Sequence, residues 1–330
     1  MRGTAVMHGP DTAPAGQTEV GMSRGIGSRA PWLLGLVVAI VVAVAVVVVV
    51  PRHATTSGSP QTHASPVPSR VLPPPLHPPK GLHWRMPPAS PHLAVATADH
   101  GATSWLWMDP QYLRFRFLPG YSRPERGPRT RADHNPATWV PAMVAAFNGG
   151  YKLSDHVGGY YYLGHTVSPL RRGYASMVFY RDGTMRVGVW GWNLHMTPDV
   201  VVVRQNLKPL VWRGVSQTRP TDTQSTWGFN MVHGWWIANR SALGMRPDGS
   251  LVFVYGHHLT PSQMAQRLIR AGVRTAIALD MNGWWPTGFL YSHYRSRIVG
   301  AKINGFIQRS PSVYLDTYSS DFVAVLGTGA

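Results

Sequence analysis

The chain has 330 residues, with 31 lysines and arginines against 14 aspartates and glutamates, for a formal charge of +17. That excess suits anionic partners such as lipid headgroups, cell-wall phosphodiester polymers or nucleic acid. No recognition helix or RNA-binding signature accompanies it, and for an exported domain no nucleic-acid partner is expected. There is no cysteine, so disulfides are excluded, and their absence neither supports nor opposes export. Only four of the basic residues are lysine, an arginine bias that resembles a GC-rich bacterial genome.

In chain order, residues 1–31 read as a short disordered cytoplasmic tail. Trp32 to Val50 is an uninterrupted uncharged run dominated by valine, leucine and alanine. At about 1.5 Å per residue it is just long enough to cross a hydrocarbon core about 30 Å thick. It is longer than the apolar part of a cleaved signal peptide, and Pro51-Arg52-His53 does not resemble a cleavage site. Residues 32–50 are therefore predicted to be a transmembrane signal anchor. Arg24 and Arg29 before it nearly balance Arg52 and Arg70 after it. The large downstream domain, with no second span to return it, sets the topology: tail inside, domain outside, single-pass at the cell membrane. Residues 51–91 are rich in Pro, Ser, Thr and His and are predicted to be a disordered stalk of polyproline character. Residues 92–330 remain for one domain with a sizeable core.

Within that domain, Ser104–Met108 and Leu113–Leu118 read as a hairpin around Asp109-Pro110-Gln111. A basic Pro/Gly-rich loop with Arg123, Arg126, Arg129 and Arg131 reads as solvated. Trp139–Ala146 reads as a short helix or apolar lead-in that stops at Asn148-Gly149-Gly150. Ser176–Tyr180 and Thr184–Trp190 flank Asp182-Gly183, a second hairpin, and Asp199–Arg204 reads as a buried strand. Asp248-Gly249 turns a third hairpin between Ser241–Met245 and Leu251–Tyr255. Thr260-Pro261 predicts an N-cap and first helical residue, Met264, Leu268 and Ala271 a buried face, and Gly272 a stop. Strands are predicted at Arg274–Leu279, Thr287–Tyr291, Ser312–Leu315 and Phe322–Leu326. The fold class is α+β, mostly β.

Asp280 stands out, because acidic residues are few and this one is expected just past a buried strand. Asn148 can donate to and accept from a sugar hydroxyl or phosphate, and Gly149 and Gly150 let a ligand approach main-chain N–H groups. Arg240 opens a strand, and its guanidinium fork fits the two free oxygens of a phosphodiester. Asn282 and Trp284 follow Asp280, the tryptophan as a sugar-stacking or pocket-filling group. Asp155 and His156, with His165 further on, admit three readings: a metal site, a substrate loop with a proton shuttle, or a structural loop. Their spacing matches no zinc signature. No cofactor is expected, with a divalent cation as the lesser alternative.

Several pieces resemble the phosphodiester glycosidase family of uncovering-enzyme-like domains. They are Ala145-Ala146-Phe147-Asn148-Gly149-Gly150-Tyr151, Arg240-Ser241-Ala242-Leu243-Gly244, and Leu279-Asp280 with the helix before it. Arg204-Gln205-Asn206-Leu207, Trp227-Gly228 and Asp321-Phe322-Val323-Ala324-Val325 match more loosely, and the set keeps the family's order over residues 92–326. The resemblance implies cleavage of the C1–O bond of a sugar-1-phosphodiester, with Asp280 as base or nucleophile, Arg240 as phosphate clamp and Asn148 as sugar contact. The sequence departs from the family after Asp280, where Met281-Asn282-Gly283-Trp284-Trp285 replaces a run of glycines and a serine. The alternative is a catalytically inactive envelope module that binds an anionic glycan or cell-wall polymer.

Overall fold

A computed structural model of the chain describes residues 73–125, 127–228, 236–295 and 297–327. The N-terminal tail, the apolar run at 32–50 and the stalk as far as residue 72 lie outside the described residues. Among the described residues no helix is long and apolar enough to cross a membrane.

Among the described residues the chain is mostly β with one α-helix. It runs through β1 (Leu93–Ala98), β2 (Thr103–Met108), β3 (Leu113–Leu118), β4 (Met143–Asn148), β5 (Tyr160–Tyr162) and β6 (His165–Ser168). There follow β7 (Ala175–Tyr180), β8 (Met185–Val189), β9 (Val200–Gln205), β10 (Val211–Trp212) and β11 (Val215–Ser216). The last third holds β12 (Ala238–Met245), β13 (Leu251–Leu259), α1 (Pro261–Arg270), β14 (Thr275–Met281), β15 (Gly288–Tyr294), β16 (Arg297–Lys302) and β17 (Phe322–Gly327). These strands form three antiparallel sheets: β1-β2-β13-β12-β14-β10-β11, β16-β15-β4-β17-β3 and β6-β5-β9-β7-β8.

The first sheet is buried on both faces, and strand alternation divides its residues between two cores. Trp105, Trp107, Val252, Val254 and Ala276 face α1 and pack on Met264, Ala265 and Leu268. Leu106, Met108, Leu251, Phe253, Ile277 and Leu279 face the other way, against Phe115, Phe147, Phe289 and Val323 of the second sheet. Helix α1 begins as its sequence dictates: the Thr260 hydroxyl accepts from the Gln263 amide, and the Gln263 side chain returns to the Thr260 N–H. Its last turn is held by Arg267 on Asp99 at 2.8 Å.

The Asp182-Gly183 and Asp248-Gly249 hairpins form as expected, with φ +81° and +87° at the glycines. Other expectations are corrected. Strands β2 and β3 exist but do not pair; Asp109 accepts from the amides of Gln111 and Leu76, and the chain crosses from the first sheet to the second. Trp139–Ala146 is a 3-10 turn, Val140–Ala142, running into β4, because Pro141 fits a helical first turn and the apolar run then pairs with β15 and β17. Ser312–Leu315 is not a strand: Ser310 caps a 3-10 turn with Pro311 at its start. Strand β14 extends past Leu279, since Met281 pairs with Arg240 and Asn282 donates to the Asn239 carbonyl at 2.9 Å. Asp280 is thus a residue of the strand rather than of the loop after it. The described part of the predicted stalk lies on the domain: Leu76, Leu82 and Trp84 pack against the helix-side core, and Arg85 bridges to Val95.

Thr260→Ala removes the acceptor for the Gln263 amide and should cost about 1 kcal/mol. It is read as a lower urea midpoint at unchanged slope; an unchanged midpoint would contradict the capping role.

Candidate functional site

Three strand ends and one strand start converge at one edge of the sheets. They are the end of β4 with Asn148-Gly149-Gly150-Tyr151, the end of β9 with Arg204-Gln205-Asn206, the end of β14 with Asp280, and Asp321 just before β17. Arg204 is fully buried, and its Nε lies 3.0 Å from Asp321 Oδ2. The same guanidinium donates from Nη2 to the Tyr151 carbonyl and from Nη1 to the Gln205 carbonyl. Asn206 accepts from the Tyr151 amide and donates to the carbonyls of Ala278 and Leu279 at 2.6 and 2.8 Å.

The two glycines permit this approach. A Cβ on Gly149 would collide with the Asp321 carboxylate, and one on Gly150 would come within 2.8 Å of Asn206 Oδ1. Asn148 itself is buried and does not line the cavity that holds Asp280. It accepts from the Thr287 amide at 3.0 Å and donates to the Gly149 carbonyl at 2.8 Å, pinning the Trp285–Thr287 segment to β4.

Arg240 and Asp280 line one small cavity together with Tyr151, Trp227 and Ser241. Its volume is about 10 Å³, room for one water. Arg240 is buried and forms no ion pair with a carboxylate among the described residues. Its donors go instead to the carbonyls of Leu259, Trp227 and Trp236 at 2.8, 3.2 and 2.9 Å. Burial pulls the guanidinium pKa below its ordinary value. The Tyr151 hydroxyl donates to the same Trp227 carbonyl at 3.2 Å. Burial, and then the Asp280 charge, hold that phenol protonated far above its ordinary range, while Arg240 opposes them.

Asp280 is largely buried. Its Oδ1 accepts from the Met281 amide at 2.7 Å, and its own amide donates to Ser241 Oγ at 3.2 Å. Burial drives its pKa well above the usual carboxylate range; the Met281 hydrogen bond and the Arg123 charge pull down, Asp321 and Asp155 push up. Asp321 is also raised by burial, with Arg204 opposing, and its Oδ1 has no hydrogen-bond partner among the described residues. Two neighbouring carboxylates are thus in unlike surroundings, one paired with a guanidinium and one unpaired, and burial raises the pKa of both.

No family model matches the sequence, and no curated protein matches it. Among solved structures, the catalytic domain of zebrafish N-acetylglucosamine-1-phosphodiester alpha-N-acetylglucosaminidase, auto-inhibited by its pro-peptide, is similar at 19% identity and a TM-score of 0.42. That match covers 73% of this chain and 85% of the zebrafish one. A hypothetical protein from Synechocystis is similar at 11% identity and a TM-score of 0.38, over 72% of this chain and 61% of its own. The likeness is one of fold, and a distant one.

The remaining expected residues sit at the rim. Asp155 and His156 are exposed at a 3-10 turn, with His156 at φ +56°. Among the described residues no group of His, Asp and Glu could hold a metal ion. Asn282 is held at φ +119°, where its Oδ1 accepts from the amides of Trp284 and Trp285 at 2.8 and 3.0 Å. Trp284 is 59% exposed. Sequence reasoning gave no role to Asp321, Arg204, Asn206 or Tyr151. Two signals were available: all four lie in segments that carry the family resemblance, and Asp321 opens an apolar terminal strand in a chain with few acids.

Asp321→Ala should leave Arg204 buried without its counter-charge and destabilise the domain by about 3–5 kcal/mol in a denaturant titration. A cost below about 1 kcal/mol would deny the pair its structural role. Asp280→Asn should act in the opposite sense. Because the folded-state pKa of Asp280 is raised, the native state binds the proton more tightly than the unfolded chain, and stability falls as pH climbs from the unfolded value through the folded one. The asparagine variant should therefore melt at a higher temperature than the parent at neutral pH, with the difference vanishing below the ordinary carboxylate range. A lower melting temperature at neutral pH would contradict the burial.

Proposed function

We propose that the domain is a glycosidase-like hydrolase that cleaves the C1–O bond of a sugar-1-phosphodiester in envelope glycans or glycoconjugates. In this reading it works outside the membrane to which residues 32–50 anchor it. The observation that carries the proposal is that Asp280, a carboxylate made more basic by burial, lines one cavity with a buried Arg240 that pairs with no carboxylate among the described residues. A general base is most effective when its pKa lies near the working pH, and burial moves Asp280 in that direction. A phosphomonoester, with a second pKa of about 6, leaves without a donated proton, so a single basic carboxylate suffices. Asp280 takes a proton from water as the water oxygen bonds to C1. The C1–O bond breaks with its electron pair on the phosphate oxygen, giving free sugar and a phosphomonoester. Arg240 and Tyr151 stabilise the developing negative charge from behind. Asn148 acts here through the backbone it positions.

The inactive-module reading keeps one observation in its favour: the cavity beside Arg240 admits a water but not a sugar. The two readings separate in a turnover assay with sugar-1-phosphodiesters. Asp280→Asn should lower kcat by about 10²–10⁴-fold. In the parent protein kcat/KM should rise with pH through an apparent pKa above the usual carboxylate range. Unchanged turnover in the variant would remove Asp280 from the reaction, and binding without turnover in the parent would favour the module.

A further inference from the structure

On the turn that follows Asp280 and the end of β14, two arginines share one tryptophan. The Arg123 and Arg309 guanidinium carbons lie 4.5 and 4.8 Å from the centroid of the Trp285 ring. Arg309 also lies over Trp284 and Tyr318, at 5.7 and 5.4 Å. Its Nε donates to the Trp284 carbonyl at 3.2 Å, which fixes the plane of the fork. No ion pair to either arginine occurs among the described residues. The Arg123 charge lowers the pKa of Asp280, Asp155 and Tyr318 against the push of burial, and the Arg309 charge lowers that of Tyr318.

The backbone beneath is rigidly held. Tyr121, Ser122 and Arg123 donate their amides to the Tyr318 and Ser319 carbonyls at 2.9–3.1 Å. Gly120 packs so closely on Ser319 that any side chain there would collide with it. Asn282 sets the turn that presents both tryptophans. Stacking on an aromatic face desolvates a guanidinium and limits its rotamers while leaving its N–H edge available, so less order is lost when the edge binds an anion.

We infer that Arg123 and Arg309, stacked on Trp285, form the site that holds the phosphate of the substrate, with Trp284 offering its exposed ring to the sugar or polyol beyond it. The inference rests on the phosphodiester reading above and moves the direct phosphate contact from Arg240, whose donors are engaged by carbonyls, to the rim. Arg240 then contributes charge and Arg123 and Arg309 contribute contact. The site selects a phosphate-bearing glycan over a neutral one.

The test uses the full chain and four probes followed by calorimetry at low and raised salt: inorganic phosphate, α-glucose-1-phosphate, methyl α-glucoside and acetate. Phosphate and glucose-1-phosphate should bind more weakly as salt is raised, methyl glucoside should not bind, and acetate should bind more weakly than phosphate. Arg123→Gln with Arg309→Gln should weaken phosphate binding about ten-fold or more, since each charged hydrogen bond contributes on that scale. Phosphate affinity unchanged in the double variant, or acetate bound as tightly as phosphate, overturns the inference. If the double variant does not fold, Arg309→Gln alone, a partly exposed side chain held by one hydrogen bond, carries the test with an expected loss of at least about three-fold. The outcomes also separate this site from the reaction. Loss of phosphate binding in the double variant, with turnover surviving in Asp280→Asn, keeps the site and sinks the reaction. Loss of turnover in Asp280→Asn, with KM and phosphate affinity intact in the double variant, keeps the reaction and sinks the site.

Discussion

The buried contact between Arg204 and Asp321 is the constraint on which the site depends. One guanidinium, fully withdrawn from water, joins the end of β9 in the third sheet to the start of β17 in the second, and also takes the carbonyl of Tyr151 after β4. A charge buried to that extent is tolerable only when its donors are nearly all engaged. Arg204 meets that condition by drawing three chain segments onto itself. Asn206, two residues later, ties the same knot to the first sheet through the carbonyls of β14. Three sheets that share a core but no strands are thereby registered to one another at one point, and Asp280 sits beside it.

Much of this was legible in the sequence wherever local chemistry decides structure. The Asp-Gly hairpins and the capped helix follow from turn and cap residues whose preferences act within a few residues of chain. Asp280 and Arg240 attracted attention for sound reasons, since scarce acids and a strand-opening arginine are informative in a basic chain, and the fold brings both to one cavity. Asn148 was singled out for its hydrogen-bonding capacity, and the structure uses that capacity on Thr287 and Gly149.

What could not be read is long-range. That β2 and β3 part company at Asp109 depends on which sheet each strand's partners occupy, and antiparallel strands joined by a short turn are a fair expectation when only the turn is visible. Asp321 and Arg204 are 117 residues apart, and nothing in either segment announces the other. The prolines of residues 73–91 suggested a free stalk because composition reports what a segment lacks. It does not report that Leu76, Leu82 and Trp84 find a surface to cover.

One consequence concerns how such a site could change over evolution. Asp280 lies inside β14, where Ala276, Ala278 and Asp280 share one side of the strand and Ile277 and Leu279 take the other. The period of two runs to a bulge between Ala278 and Met281, opposite Ala242 and Arg240, so inserting or deleting one residue before it would drive the carboxylate into the apolar interior and bring Leu279 to the cavity. The acid is thus locked to the packing of the central sheet. The rim that carries Trp284 and Trp285 is a turn outside any strand, free to lengthen or exchange residues. Descendants of this domain could diversify what they recognise far more readily than where the acidic group stands.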